Sequence, residues 1–240
     1  MNSVVNLQNV SHQIKQKSIL SNITFSIPQG EVFGLLGPSG SGKTTLVKLI
    51  TGLLVPAGGT VYVNGERMPS LEQMKRYGFM AQSDALYQEL TGKENLEFFA
   101  SIYRLSKQRK KQRIKEVLEM VNLVEDSHRE VEKYSGGMKR RLSLAAALLH
   151  EPELIILDEP TVGIDPVLRQ SIWKELNRLK DNGVTIIVTT HVMDEAEKCD
   201  RLAMLQDGEI IALNAPKQLK AEIGADTIED VFLHYGGASK

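Results

Sequence analysis

The fold of this 240-residue chain is decided by the stretch Gly37-Pro38-Ser39-Gly40-Ser41-Gly42-Lys43-Thr44-Thr45. An apolar run, residues 32–36, precedes it, and an apolar-periodic run, residues 46–50, follows it. The pattern Gly-x-x-x-x-Gly-Lys-Thr therefore stands between a predicted strand and a predicted helix, which is the context that a phosphate-binding loop requires. Glycines let the backbone approach phosphate oxygens closely, and the unpaired N–H groups and dipole of the following helix favour an anion.

Two side chains of this stretch have specific expected roles. Lys43 brings a mobile positive charge to the β- and γ-phosphates of a nucleotide, and the Thr44 hydroxyl is a ligand for Mg²⁺. The alternative is a glycine-rich turn that binds nothing, and the strand and helix on its two sides argue against it. We therefore expect residues 37–45 to bind a nucleotide with Mg²⁺, although this loop alone does not identify the base.

The composition limits the class of protein. A hydrophobic fraction of 42% and a charged fraction of 25% fit a soluble globular protein, and a net charge of -1 gives no general attraction to nucleic acid or membrane. The single cysteine, Cys199, excludes an internal disulfide and a cysteine-cluster metal site. No signal-peptide pattern is visible, and the longest apolar stretch, residues 142–149, is far shorter than the roughly 20 residues that span a bilayer. We expect any membrane role to depend on a partner.

The first part of the chain combines extended segments with the loop. Residues 3–10, 19–27 and 60–63 are predicted strands that form an antiparallel β flank beside the loop, and residues 77–81 form a short apolar strand. From about residue 86 to 150 the pattern is helical, with a helix capped by Thr91, another from Lys107 to Asn122 and a third that begins near Ser135. This portion is expected to be an inserted helical subdomain.

Strand patterns resume after residue 150. Residues 154–157 and 184–188 are continuous apolar runs, as expected for strands buried on both faces, and Asp165-Pro166 has the chemistry of a helix start. Residues 202–213 predict a hairpin and residues 228–233 a short helix. The alternation predicts one α/β domain over residues 1–240 with a mainly parallel sheet. Its expected parts are a core with the β flank (1–85 and 151–224), the helical subdomain (86–150) and a tail helix (225–240).

Polar residues follow the predicted parallel strands. Asp158, after residues 154–157, is placed to hold Mg²⁺ opposite Thr44, and Glu159 could orient and deprotonate an attacking water. Gln82 could contact Mg²⁺ or that water, and His191 could hydrogen-bond a γ-phosphate. A surface glutamine and a structural histidine are the alternatives. Because parallel strands end at one edge of a sheet, we expect these side chains to meet there.

A second short motif, Ser135-Gly136-Gly137-Met138, follows Tyr134. Ser135 has N-cap chemistry, and the two glycines again allow close backbone approach. The helix that follows them has the positive end of its dipole at this N-terminus, where an anion would be favoured. Either this is a second anion-binding helix start or it is an ordinary capped helix.

The motifs together resemble the ATPase domains of ABC transporters, over essentially the whole chain. They occur in the order and rough spacing of that family: Gly37–Thr45, Gln82, Ser135-Gly136-Gly137, Leu157-Asp158-Glu159-Pro160, Gly163-Ile164-Asp165 and His191. The resemblance implies a RecA-like P-loop NTPase core that hydrolyses ATP with Mg²⁺.

The resemblance also implies partners. In this family ATP on residues 37–45 of one subunit is covered by Ser135–Met138 of a second subunit, in a head-to-tail dimer. Gln82 links the site to integral membrane permease subunits, Asp165 contacts the other subunit, and His191 senses the γ-phosphate. No nucleic acid is expected as a partner, and the expected location is the cytoplasmic face of the membrane.

Further detail resembles the type-2 exporters, which carry drugs, antibiotics, ions, lipids or polysaccharides outward. The stretches 134–141, 161–166 and 190–196 and the tail 227–232 carry this likeness. Two positions depart from the wider family: Met138 stands where many members have Gln, and Ile14 stands where an aromatic usually stacks on adenine. An aliphatic side chain offers packing but no π-stacking.

Two other functions remain open at this stage. One is an ABC-type ATPase that acts on DNA or ribosomes, although neither a long coiled coil nor a tandem ATPase domain is visible. The other is a nucleotide-binding regulator that does not hydrolyse ATP, which the presence of Glu159 argues against.

Overall fold

The computed structural model describes residues 3–83 and 85–237, and within them strands and helices alternate. The strands are β1 (Ser3–Ile14), β2 (Lys17–Pro28), β3 (Val32–Leu36), β4 (Gly58–Val63), β5 (Glu66–Arg67), β6 (Tyr77–Met80), β7 (Leu154–Asp158), β8 (Thr185–Thr190), β9 (Arg201–Gln206) and β10 (Glu209–Asn214). The helices are α1 (Lys43–Ile50), α2 (Gly92–Ile102), α3 (Lys107–Met120), α4 (Gly136–Leu148), α5 (Pro166–Asp181), α6 (Met193–Ala196), α7 (Pro216–Ile223) and α8 (Ile228–Gly237).

A six-stranded sheet in the order β10-β9-β3-β8-β7-β6 forms the centre of the fold. Its strands pair in parallel except for the antiparallel β9–β10 hairpin. Every residue of β3, β7 and β8 is buried, as their continuous apolar runs predict for strands covered on both faces. The predicted α/β fold with a mainly parallel sheet is confirmed, and its carboxyl edge brings together the ends of β3, β6, β7 and β8.

A four-stranded antiparallel sheet in the order β2-β1-β4-β5 lies beside the larger one and confirms the predicted β flank. On β2 the alternating residues Ile23, Phe25 and Ile27 are buried. They share one hydrophobic cluster with α1 and with one face of the large sheet, where the rings of Phe25 and Phe33 stack 5.1 Å apart. This packing fixes α1, and therefore the loop before it, between the two sheets.

Helices α2, α3 and α4 form the portion between residues 85 and 150. The described residues of this portion contain one isolated β-bridge and no β-strand. Thr91 and Glu94 form a reciprocal capping box at the start of α2, and Ser106 and Ser135 cap α3 and α4. Helix α4 also packs on the large sheet through β6 and β7. The helical content is as predicted, and the division into subdomains stays a prediction.

The carboxyl-terminal part holds two helices that the sequence patterns do not predict, the short α6 and α7. Asp165 caps α5 with Pro166 in its first turn, and α8 forms, both as expected. Helix α7 is additional, and it begins at Pro216 and ends at Gly224, whose φ of 69° lies in the left-handed region. None of the helices in residues 3–83 and 85–237 combines the length and hydropathy needed to span a bilayer.

Candidate active site

The loop between β3 and α1 can adopt its path only with glycine at two positions. Gly42 has φ 108°, and a Cβ there would lie 2.8 Å from Leu20 Cδ2. A Cβ on Gly37 would collide with the carbonyl oxygen of Leu205. Helix α1 then starts with no side-chain cap, which leaves its first N–H groups available to a ligand.

Two polar side chains of the loop fit an anionic ligand. Lys43 is buried, and its Nζ donates to the carbonyl oxygens of Gly37 at 2.7 Å and Pro38 at 3.0 Å. Burial lowers the pKa of Lys43, and the carboxylates of Glu159 and Asp158 oppose this shift. Ser41 is also buried, and its Oγ has no hydrogen-bond partner among the described residues. A phosphate oxygen would satisfy the Lys43 charge and this hydroxyl together.

An open cleft of about 380 Å³ lies over the loop. It brings together nine of the residues predicted to form the site, and it is lined by Ile14, Lys17, Ile19, Ser39, Gly40, Gly42, Lys43, Thr44, Thr45, Gln82 and Glu159. A neighbouring cavity of about 280 Å³ has Thr44, Gln82 and Asp158 in its lining. The predicted phosphate, catalytic and Mg²⁺ residues of one chain therefore meet at the carboxyl edge of the sheet.

Asp158 ends β7 as a buried carboxylate. Its Oδ1 accepts a hydrogen bond from Thr189 Oγ1, and the two residues are register partners in the parallel β7–β8 pair. The hydroxyl of Thr44, the amide of Gln82 and the Asp158 carboxylate are all oxygen donors, the ligand class that Mg²⁺ prefers. The described residues contain no group of three or more His, Cys, Asp or Glu side chains that could hold a metal.

Glu159 is held in an uncommon backbone conformation. Its φ is 54°, a left-handed value that is rare for residues other than glycine. Its N–H is shared between the carbonyl oxygen of Thr189 at 3.2 Å and Thr189 Oγ1 at 3.0 Å. Its Oε1 lies 3.1 Å from Nδ1 of His191, which is exposed. The structure thus brings His191 to the glutamate that faces the loop.

Thr189 and Arg140 are site residues that the sequence patterns miss. Arg140, in α4, is buried and donates through its guanidinium to the backbone carbonyl oxygens of Ala81, Gln82, Asp158 and Glu159. The polar end of β8, Thr189-Thr190, is a visible signal next to His191. For Arg140, we find no signal in the sequence that separates it from its basic neighbours.

A buried network supports the segment that carries His191. Glu195 is 2% exposed and accepts hydrogen bonds from Thr190 Oγ1 at 2.7 Å and from Thr161 Oγ1. Arg169 Nε lies 3.9 Å from the same carboxylate. Glu195 therefore ties the end of β8, just before His191, to the loop after Glu159.

Two further sets of predicted site residues, Ser135–Met138 and Asp165, are also absent from the lining of the cleft. Ser135 and Gly136 are exposed at the start of α4, where Ser135 Oγ accepts from the N–H of Met138 at 3.2 Å. Gly137 lies beside the loop that holds Gly163, since a Cβ there would be 3.0 Å from the Gly163 oxygen. Asp165 is exposed as well, and its Oδ1 caps α5 through the N–H of Leu168. A role for these residues in nucleotide binding needs a second molecule.

Comparison with known proteins identifies relatives of the whole chain. A family model described as ABC transporter matches residues 20–162. The linearmycin resistance ATP-binding protein of Bacillus subtilis is 42% identical over 226 residues, which are 92% of this chain and 72% of that protein. The Nod factor export ATP-binding protein I of Burkholderia lata is 41% identical over 229 residues, which are 94% of this chain and 75% of that protein.

A similar solved structure is a dimeric ATP-binding cassette in a post-hydrolysis state, bound to ADP and Pi. It is 30% identical, with a TM-score of 0.82 over 88% of this chain and 98% of that one. The family match covers more than half of the sequence, and the phosphate loop and Glu159 line one cleft. The chain belongs to the ATP-binding proteins of the ABC transporter family.

Proposed function

We propose that this chain is the ATP-hydrolysing subunit of an exporter, and that its dimerisation on ATP drives transport by separate membrane subunits. The main support for the proposal is that Lys43, Thr44 and Glu159 line one cleft, and that Asp158 lines the neighbouring cavity. The names of the relatives, a linearmycin resistance protein and a Nod factor export protein, support export as the direction of transport.

Each residue of the cleft has a chemical task in this proposal. The N–H groups before and at the start of α1, with Lys43, bind the β- and γ-phosphates of ATP. Glu159 orients the attacking water and accepts its proton, and the Nδ1–H of His191 steadies the glutamate oxygen 3.1 Å away. The water oxygen bonds to the γ-phosphorus as the bond from that phosphorus to the bridging oxygen of ADP breaks, which gives ADP and inorganic phosphate. Bound Mg²⁺, held by Thr44, Gln82 and Asp158, would neutralise charge on the phosphates.

The cleft is half of the proposed site. Ser135–Met138 lie outside the chain's own cleft but offer two exposed residues at a helix start, where an anion is favoured. In a head-to-tail dimer this segment covers the ATP on the loop of the other subunit, and Asp165 lies at the contact between subunits. The dimeric cassette with ADP and Pi is a precedent within the family for such a pair.

The membrane partner is proposed to bind next to Gln82. A groove on this side is lined by residues of β6, the following loop, α2 and α4, including Phe79, Ala81, Phe99, Tyr103 and Ala146. A helix of a permease subunit that enters this groove would contact the loop of Gln82 directly. The proposed position of the chain is therefore peripheral, on the cytoplasmic face of the membrane.

Purification from membranes tests this proposal. The tagged chain is extracted with detergent from the cells that encode it, and a Lys43→Ala variant is treated in parallel. We expect both to recover one integral membrane protein in a fixed ratio, with ATP hydrolysis only in the complex of the unchanged chain. Recovery with DNA or ribosomes and without a membrane protein would instead support the other function that the sequence leaves open.

A further inference from the structure

We propose that Arg140 positions the catalytic glutamate, and that through it the placement of helix α4 sets the placement of Glu159 within the same subunit. This inference rests on the proposed function, because it assumes that Glu159 acts on the water that attacks ATP. It adds a positioning residue that does not line the cleft. It also gives α4 a task in its own subunit, besides the proposed contact with the other one.

The guanidinium of Arg140 joins two strand ends. Nη1 donates to the carbonyl oxygens of Ala81 at 2.7 Å and Gln82 at 3.0 Å, just after β6. Nε and Nη2 donate to the carbonyl oxygen of Glu159 at 3.1 and 2.7 Å, and Nη2 also donates to that of Asp158. The side chain is 6% exposed, so these charge-assisted bonds form away from solvent. One side chain of α4 therefore holds the backbones of both Gln82 and Glu159.

Arg140 binds the backbone of Glu159, which has an unfavourable conformation that its surroundings must enforce. Glu159 has φ 54°, a conformation that costs free energy for a non-glycine residue unless its surroundings enforce it. Thr189 fixes the N–H of Glu159, and Arg140 fixes its carbonyl oxygen. Without one of these anchors the residue can return to a common backbone conformation, which would turn its carboxylate away from the cleft and from His191.

Arg140 also connects the cleft to the groove proposed for the membrane partner. Ser143, Ala146 and Ala147 line that groove, and they follow Arg140 on α4 by three, six and seven residues, so they begin one turn beyond it. Ala81, whose carbonyl oxygen Arg140 binds, lines the same groove. An occupant that shifts α4 relative to β6 would therefore pull on the carbonyl oxygen of Glu159. This is a contiguous physical path between partner and catalytic base.

The next residue provides a matched control. Arg141 lies in the same helix, and its Nη1 also donates to backbone carbonyl oxygens, those of Val121 at 3.0 Å and Asn122 at 2.8 Å. Its partners belong to the segment after α3, so its bonds stay within the helical part of the chain. Replacing Arg141 removes a guanidinium that donates to backbone carbonyl oxygens from α4, but it removes no hydrogen bond to the ends of β6 and β7.

The test compares Arg140→Met, Arg140→Lys and Arg141→Met in the purified chain or its transporter complex. For Arg140→Met we expect kcat for ATP hydrolysis to fall by about tenfold to a hundredfold, because small misplacements of a catalytic group have effects of this size. The Kd for MgADP should change by less than about threefold, because Lys43 and its loop are intact. Arg140→Lys should recover part of kcat, and Arg141→Met should keep the kcat of the unchanged chain.

A double-mutant cycle with Glu159→Gln shows whether Arg140 acts through Glu159. If it does, Arg140→Lys lowers single-turnover hydrolysis in the unchanged background and has little effect once Glu159 is Gln, because residues that act as a unit are not additive. Equal fold-losses in both backgrounds, or equal losses for Arg140→Lys and Arg141→Met, would overturn the inference. If Arg140→Met does not fold, Arg140→Lys alone decides. An unchanged chain that binds ATP but never hydrolyses it refutes the proposed function instead.

Discussion

The Nδ1 of His191 lies 3.1 Å from Oε1 of Glu159, and this contact joins the ends of two neighbouring parallel strands, β7 and β8. The glutamate side chain is 15% exposed and that of the histidine 49%, so the pair lies at the boundary between the sheet and the cleft. The resemblance predicts His191 as a sensor of the γ-phosphate. The structure adds that the same imidazole contacts the carboxylate of the proposed catalytic base.

This contact predicts the effect of His191→Ala. Loss of the imidazole should lower kcat for ATP hydrolysis by about a hundredfold, in the range seen when a general base loses its correct placement. Binding of MgADP should change little, since His191 is not among the residues that line the cleft. Steady-state hydrolysis and calorimetry measure the two effects, with His234→Ala on α8 as the control. Unchanged kcat would exclude a role for the pair in hydrolysis.

Lys43→Ala should weaken nucleotide binding. The buried ammonium is held by loop carbonyls and its pKa is lowered by burial, so a phosphate gives it a compensating charge that water does not. Loss of one charge-assisted contact, about 1.5–3 kcal/mol, predicts a decrease in ATP affinity of at least tenfold. A fluorescent ATP analogue measures the affinity. Lys174→Ala on the exposed side of α5 is the control, and equal affinities for the two variants would contradict the proposed phosphate cradle.

Ile14→Tyr should tighten nucleotide binding. Ile14 is 51% exposed at the end of β1 and lines the cleft beside the loop, where an aromatic ring could lie against the base. Stacking contributes about 1 kcal/mol, so the Kd for MgADP should fall about fivefold by calorimetry. Val55→Tyr, at another exposed aliphatic position, is the control. An unchanged Kd for Ile14→Tyr would mean that the base binds against some other residue.

His150 predicts a pH dependence of stability. Its ring stacks on Tyr103 with centroids 3.6 Å apart, and burial lowers its pKa from 6.5 to about 4. Between these values the unfolded chain takes up a proton that the folded chain excludes, so stability falls as the pH falls. Between pH 7 and pH 5, the free energy of unfolding of the unchanged protein should therefore fall by about 2 kcal/mol more than that of His150→Phe. The Phe variant keeps a stacked ring at this position. Urea unfolding at both pH values measures this difference, and equal losses would contradict the low pKa.

The elements and most of the site could be predicted because their signals are local. Apolar runs predict the buried strands, and the residues directly after them, such as Asp158 and Gln82, lie together at the carboxyl edge once the strands are parallel. Helix α7 has local signals too, Pro216 at its start and Gly224 at its end, but its eight residues are too few for a clear apolar period.

The supporting contacts of the site could not be predicted in the same way. Thr189 donates a hydrogen bond to Asp158 because the two residues are register partners in neighbouring strands. The register between two strands that are distant in sequence cannot be predicted from either segment alone. Arg140 reaches four carbonyl oxygens because α4 packs against β6 and β7, a tertiary arrangement that no local pattern contains. Ser135–Met138 and Asp165 have roles only through the family resemblance, since the chain's own cleft does not include them.

We propose that the cleft is half of an active site and that ATP brings two chains together. Light scattering of Glu159→Gln tests it most directly, with and without MgATP and beside the double variant Glu159→Gln with Ser135→Arg. We predict that Glu159→Gln with MgATP has twice the mass of the 26.7 kDa chain, and that the double variant binds MgATP but keeps the mass of one chain. A Glu159→Gln chain that binds MgATP and stays single, or a double variant that pairs equally well, would contradict the account.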